Sequence, residues 1–259
     1  MRANRLDAIV AIGGEDTLGV ANKLHEVGIK VIGIPKTIDN DLYGTDFTIG
    51  FDTAVMIATE AIDRLHTTAE SHNRIMVVEV MGRHAGWVAT HAGLAGGADM
   101  ILIPERPFKS REVCDTLLRR HHRGKLFSIV VVAEGAKLDP EESGGQELVL
   151  ASEHKDAFGH VQLGGIGDFL SKRIEDLMGV ETRVTVLGHT QRGGVPTARD
   201  RILATRFGIH AVKLLHDEKF GMMASLQGER ITEVPLSEAV GRAKLVDMEQ
   251  YAAAEVFFG

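Results

Sequence analysis

Asp7-Ala8-Ile9-Val10-Ala11-Ile12-Gly13-Gly14-Glu15-Asp16-Thr17 and Lys30-Val31-Ile32-Gly33-Ile34-Pro35-Lys36-Thr37-Ile38-Asp39-Asn40-Asp41 decide the fold. Each begins with an apolar run of strand length and ends in a turn of Gly or Pro, hydroxyls and acids, as a buried β-strand entering a loop does. Between them Val20 and Leu24 are spaced as on one face of a short helix. A strand–helix–strand unit makes the two strands parallel. Both turns then lie side by side at the carboxyl edge of one sheet, where open α/β folds bind ligands. Gly lets backbone N–H groups approach phosphate oxygens. Carboxylates ligate a hard cation and can take a proton from a hydroxyl. Those are the needs of phosphoryl transfer.

The same alternation continues along the chain. Apolar runs at 74–80, 100–103, 127–132 and 183–187 read as further strands of a sheet covered on both faces. Asp52 is placed to cap a helix whose inner face is Val55, Ala58, Ile62 and Leu65. Ser110 is placed to cap another, with Val113, Leu117 and Leu118 inward. Leu203, Phe207, Ala211 and Leu214 form a third stripe, opened by Pro196-Thr197. The polar stretch 137–145, with Pro140 and Gly144-Gly145, reads as a surface loop.

Composition narrows the class. The chain has 259 residues, 44% hydrophobic and 25% charged, with a net charge of −7. That balance disfavours nonspecific nucleic-acid binding and attraction to anionic membranes. The lone cysteine, Cys114, rules out an internal disulfide and suits a reducing compartment, so a cytoplasmic location is expected. No HExxH pattern, Walker loop or complete dinucleotide fingerprint is present. The basic run Arg119-Arg120-His121-His122-Arg123 reads as a solvated helix end.

Two later turns add cations. Met81-Gly82-Arg83-His84-Ala85-Gly86 follows one strand, and Gly188-His189-Thr190-Gln191-Arg192-Gly193-Gly194 follows another. Each pairs Gly with Arg, as a phosphate or sugar site would. Taken singly, Gly13–Thr17 is equally compatible with an ordinary tight turn, Thr37–Asp41 is the sharper signal, and each of the four also has a plain reading as a polar turn or helix start. Together, in order and spacing, the stretches PKTIDND, IGFDTA, EAIDRL, SHNR, VEVMGRHAG, VVAEG, ETRVTVLGHTQRGG and AEVFFG resemble the phosphofructokinase family, from about Asp7 to Gly259.

The resemblance implies an α/β fold of two similar lobes, each a mostly parallel sheet flanked by helices. A phosphoryl-donor lobe is expected over about 1–50 plus 191–241, and a fructose 6-phosphate lobe over about 51–190 plus 242–259. It implies phosphorylation of the 1-hydroxyl of fructose 6-phosphate with Mg²⁺, as in glycolysis or gluconeogenesis. By resemblance Asp39 is the catalytic base, Asp41 a carboxylate that helps hold the metal, Thr37 a contact of the transferring group and Arg83 its stabilising cation. Met81 and Gly82 line the sugar, and Glu134 bonds its hydroxyls. His189 and Arg192 hold the sugar and its 6-phosphate. Arg74 and Arg183 resemble arginines that reach the 6-phosphate from a neighbouring subunit, which implies a homodimer or homotetramer with shared sites.

Gly14, Asp16, Thr17 and Lys36 fall on donor-binding positions, and Glu15 on a metal position where many members carry Asp. ATP-using members typically carry Gly at the positions of Asp16 and Lys36. A carboxylate at Asp16 would crowd and repel a nucleotide's inner phosphate, and the Lys36 ammonium can bind pyrophosphate directly, so this pair resembles the pyrophosphate-dependent branch. Such a reaction is expected to be readily reversible. ATP-dependent phosphorylation, and a noncatalytic chain that binds sugar phosphate, are the alternatives. Family members also carry a first strand and Gly-rich phosphate loop before the equivalent of Asp7. A misassigned start or a fragment is the expected reason for its absence here, with a short form that is inactive or needs a partner as the third option.

Overall fold

The computed structural model describes residues 6–143, 150–155 and 161–258. In chain order the elements are β1 (Ile9–Gly13), α1 (Glu15–Glu26), β2 (Val31–Thr37), β3 (Ile49–Gly50), α2 (Phe51–His72), β4 (Ile75–Val80), α3 (Trp87–Ala95) and β5 (Met100–Leu102). There follow α4 (Ser110–His122), β6 (Ser128–Ala133), α5 (Pro140–Ser143), β7 (Leu150–Lys155), β8 (Val161–Leu163), α6 (Ile166–Met178) and β9 (Thr182–Val186). A 3₁₀ turn, Gly188–Arg192, then leads to α7 (Ala198–His216), β10 (Met222–Gln227), β11 (Arg230–Pro235), α8 (Leu236–Ala239) and α9 (Met248–Glu255). The chain divides into two compact units, Met1–Thr53 with Val195–Lys244, and Ala54–Gly194 with Leu245–Gly259. Among the described residues no helix is long and apolar enough to cross a membrane.

In the first unit the sheet runs β1-β2-β10-β11, with β3 also paired to β2. β1, β3 and β10 lie parallel to β2, and β11 returns antiparallel along β10. The period of two along β2 sorts its side chains. Ile32 and Ile34 pack with Leu203, Phe207, Ala211 and Leu214 of α7. Val31 packs on the other face with Leu18 and Ala21 of α1 and with Leu236 and Ala239 of α8. On that second face a Cβ at Gly33 would lie 2.8 Å from Leu236, so glycine is what allows the close approach. The inner stripe of α1 is Leu18 and Ala21 with Leu24 beside it, whereas Val20 is 49% exposed. Expected inward, Val20 sits two positions after Leu18 and so projects from the opposite side of the helix.

The second unit carries an all-parallel sheet, β5-β6-β4-β9. One face packs Ile75, Val77, Val130 and Val132 against Val113, Cys114 and Leu117 of α4 and Ile166, Leu170 and Ile174 of α6. On the other, Gly93 of α3 lies so close to Ile101 and Val131 that a Cβ would meet Ile101 at 2.7 Å. The expected loop at 137–145 contains the short helix α5; Gly144-Gly145 lie outside the described residues. That helix also corrects the capping of α4. Ser110 is the first helical residue and makes no side-chain cap; its N–H donates to Glu142 Oε2 at 2.7 Å instead.

Asp52, expected as a cap, lies in the first turn of α2 and accepts from Thr197 Oγ1 at 2.7 Å. The tie at this corner is Asp200. Its buried carboxylate accepts from Gly50 N–H and Thr53 N–H, each at 2.9 Å, and from the Thr53 hydroxyl. Thr197 caps α7 by accepting from Asp200 N–H. Replacing Asp200 by Ala orphans two main-chain donors, and urea denaturation is expected to read a loss of about 3 kcal/mol. Cys114 is buried in the second unit's core, and desolvation pushes its thiol up to about 11. The proton is therefore held more tightly in the fold than in the open chain. Maleimide at pH 8 is expected to leave Cys114 untouched in the folded protein and to label it fully in urea.

Candidate active site

In the first unit the two turns meet. The register pairs Gly13 with Pro35, and a Cβ added to Gly14 would stand 3.4 Å from Thr37 Cβ. Gly14 is the N-cap of α1 and offers no side chain to the helix's first N–H groups, which leaves that end open to an anion. Glu15 and Asp16 occupy the first turn, and Thr17 packs over Gly13 closely enough that a Cβ there would meet it at 2.5 Å. Across the contact, Lys36 is exposed at the end of β2.

Beyond Lys36 the chain does not continue as the extended strand that would put Asp39 and Asp41 on one side. Asn40 takes a left-handed conformation at φ 53°, which Asn tolerates because its short amide bonds locally. The turn is cross-linked. Thr37 Oγ1 accepts from Asp39 N–H at 3.2 Å, and Thr48 Oγ1 donates to the Thr37 carbonyl at 2.7 Å. Asn40 accepts from Thr48 N–H at 3.0 Å and donates to the Asp46 carbonyl at 3.2 Å. Asp39 is buried and Asp41 half-buried in this turn.

In the second unit a group of polar residues gathers at the carboxyl edge of the parallel sheet. β4 runs into Met81-Gly82-Arg83, β6 into Glu134, and β9 into the turn Gly188–Arg192. Gly82 has φ 149°, and a Cβ there would strike the Ala85 carbonyl oxygen at 2.6 Å, so no other residue fits. Arg83, at φ 51°, donates its N–H to Glu134 Oε1 at 3.2 Å. Burial raises the Glu134 pKa, while the N–H groups of Arg83 and Gly82 and the charge of Arg192 oppose the rise. His189 and Arg192 are exposed on the 3₁₀ turn.

Two residues at this edge lie inside the motifs but are given no role by them. Gln191 is buried, accepts from Met81 N–H at 3.3 Å and donates to the Gly188 carbonyl at 3.1 Å, which fixes the turn to the end of β4. Glu79 is buried and accepts from Gly167 N–H at 2.8 Å at the start of α6. Desolvation raises its pKa against the bonds from Gly167 and Gly165. The signal for Glu79 was present: a single acid inside the apolar run Val77-Val78-Glu79-Val80.

Arg74 and Arg183 stand apart. Arg74 precedes β4 and Arg183 is the second residue of β9, so both lie at the opposite edge of the sheet. The length of β4, about 20 Å at ~3.3 Å per residue, separates them from Met81. Glu181 joins the pair, accepting from Arg74 Nε at 2.6 Å and from Arg183 Nη2. Both arginines lower the Glu181 pKa, Arg74 foremost.

Residues 1–215 match the family described as Phosphofructokinase. The chain is 62% identical over 255 residues to pyrophosphate–fructose 6-phosphate 1-phosphotransferase of Amycolatopsis methanolica, covering 98% of this chain and 73% of that protein. It is 52% identical over 254 residues to the ATP-dependent 6-phosphofructokinase of Corynebacterium efficiens, covering 98% of this chain and 72% of that one. The crystal structure of a pyrophosphate-dependent phosphofructokinase from Marinobacter aquaeolei superposes with a TM-score of 0.78 at 25% identity, over 96% of this chain and 63% of that one. With the family match spanning most of its length and relatives at this identity, the chain belongs to the phosphofructokinase family.

Proposed function

We propose that this chain transfers a phosphoryl group from pyrophosphate to the 1-hydroxyl of fructose 6-phosphate, reversibly and with Mg²⁺. The observation that carries the choice of donor is the pairing of Gly13 with Pro35, which sets the turn bearing Asp16 beside the turn bearing Lys36. The open N-terminus of α1 and the Lys36 ammonium offer positive charge to a compact inorganic donor, and the Asp16 carboxylate disfavours the inner phosphate of a nucleotide. Three relatives named for pyrophosphate match at 58% to 62% identity, and five named for ATP at 52%.

In this reading the first unit serves the donor and the second the sugar phosphate. The 1-hydroxyl oxygen attacks the terminal phosphorus, a P–O bond forms, the bridging P–O bond breaks, and orthophosphate leaves. Asp39 takes the hydroxyl proton, and Thr37 and Arg83 hold the transferring group as its charge spreads. Met81 and Gly82 line the sugar and Glu134 accepts its hydroxyls. His189 and Arg192 bind the substrate and its 6-phosphate. Arg74 and Arg183, at the far edge of their sheet, serve the 6-phosphate of a neighbouring subunit in a homodimer or homotetramer, which bidentate arginine geometry suits.

Among the described residues no three His, Cys, Asp or Glu side chains are grouped to cage a metal. Mg²⁺ does not require one; it takes one or two carboxylates and fills its remaining positions with water and substrate phosphate. The oxygen donors of Glu15 and Asp41 fit that demand. When bound, the ion neutralises phosphate charge.

The test is turnover of fructose 6-phosphate with Mg²⁺ and either pyrophosphate or ATP. Turnover with pyrophosphate and little with ATP is expected; the opposite preference supports the ATP-dependent alternative, and sugar-phosphate binding without turnover the noncatalytic one. Asp39→Asn is expected to lower kcat about 10³-fold with little change in substrate binding. The pair Asp16→Gly with Lys36→Gly is expected to reduce kcat/KM for pyrophosphate and to raise it for ATP, read in the same assay.

A further inference from the structure

Lys244 lies outside every motif that marks the site. Its main-chain N–H donates to the Asp41 carbonyl at 2.7 Å, and an antiparallel bridge pairs its neighbour Ala243 with Leu42. The Lys244 ammonium turns onto the same loop, donating to the Thr45 carbonyl at 2.8 Å and to the Asp46 carbonyl at 2.9 Å. Two positions before Lys244, the Arg242 guanidinium sits 3.3 Å from the centre of the Tyr43 ring. Residues 242–244 therefore grip the loop at 41, 42, 43, 45 and 46, from the second of the carboxylates read above onward.

The grip joins the cross-links already described. The Asp46 carbonyl that receives the ammonium also receives the Asn40 amide, and Asn40 is the residue between Asp39 and Asp41. A shift of the ammonium would therefore be felt at the turn itself. Lysine is an expensive residue to desolvate, and burial holds the Lys244 pKa down to about 8 against the upward pull of Asp46 and Asp41. An uncharged donor would tie two carbonyls at less cost. A fixed ammonium gives stronger, charge-assisted bonds.

We infer that Lys244 is a positioning residue: its ammonium and main-chain N–H hold the loop of Asp39 and Asp41 in the geometry that phosphoryl transfer uses. The inference rests on the proposed reading of those two carboxylates. Lys244→Met removes the donors and keeps the stem; Lys244→Arg keeps a cationic donor. Amide hydrogen exchange over residues 39–48, urea midpoints and steady-state kinetics with pyrophosphate are compared for the unsubstituted protein and both variants.

For Lys244→Met, exchange in the loop is expected to quicken about tenfold or more while β1 and β2 stay protected. The kcat is expected to fall by about tenfold to a hundredfold, the scale of a small misplacement of reacting groups, with KM for fructose 6-phosphate within about twofold. Lys244→Arg is expected to recover most of both losses. Unchanged loop exchange in Lys244→Met, unchanged kcat, or loss of protection throughout the sheet would each overturn the inference. Absence of turnover in the unsubstituted protein would instead overturn the proposed reaction, and the exchange comparison alone would then decide whether Lys244 holds the loop.

Discussion

The parallel pairing of β1 with β2 is the constraint on which the rest depends. It sets Gly13 opposite Pro35 and so brings the end of one strand–turn against the end of the next. Shifting that pairing by one residue would turn Ile32 and Ile34 away from α7 and Val31 away from α1, exchanging two buried faces at once. Core burial thus fixes the register, and the register fixes how near Gly14 comes to Thr37. A helix end, a lysine and two acidic turns come together because adjacent side chains along a strand must face opposite ways, and both faces here are buried.

The second unit solves a different problem with the same kind of sheet. Its four strands all point one way, so the chain leaves three of them at a common edge with Arg83, Glu134 and the turn of His189 and Arg192. Carboxylates there are sunk against main-chain donors. Glu79 meets the first turn of α6, and Glu134 meets the N–H groups of Gly82 and Arg83. Groups held this way lose little entropy when a polyol or phosphate arrives. The left-handed Arg83 and the glycine before it are part of the arrangement, since a side chain at Gly82 would strike the Ala85 carbonyl oxygen.

Strands were legible in the sequence because a buried parallel strand is a continuous apolar run, and the apolar runs from 74, 100, 127 and 183 fall within a residue or two of β4, β5, β6 and β9. The stripe of α7 was legible because Leu203, Phe207, Ala211 and Leu214 recur at helical spacing. Among helix starts Thr197 at α7 was legible and Ser110 was not: Ser110 is already the first helical residue of α4, and its N–H donates to Glu142, a partner 32 positions away that no local pattern announces. Val20 looked inward because it shares a spacing with Leu24, yet Leu18 and Ala21 set the buried stripe. At the site, residue types at turn ends could be read directly. The left-handed Asn40, the buried Gln191 and the clamp of Lys244 could not, because each depends on contacts between distant stretches of chain. Glu79 is intermediate: an acid in an apolar strand demands a partner, and only the fold names it.

The central claim, that pyrophosphate is the donor of this site, is tested most directly in reverse. Fructose 1,6-bisphosphate, orthophosphate and Mg²⁺ are incubated with the protein and followed by ³¹P NMR. The account predicts that pyrophosphate and fructose 6-phosphate appear together in equal amounts, with no nucleotide present. Formation of fructose 6-phosphate only when ADP is supplied, with ATP as the second product, would contradict it.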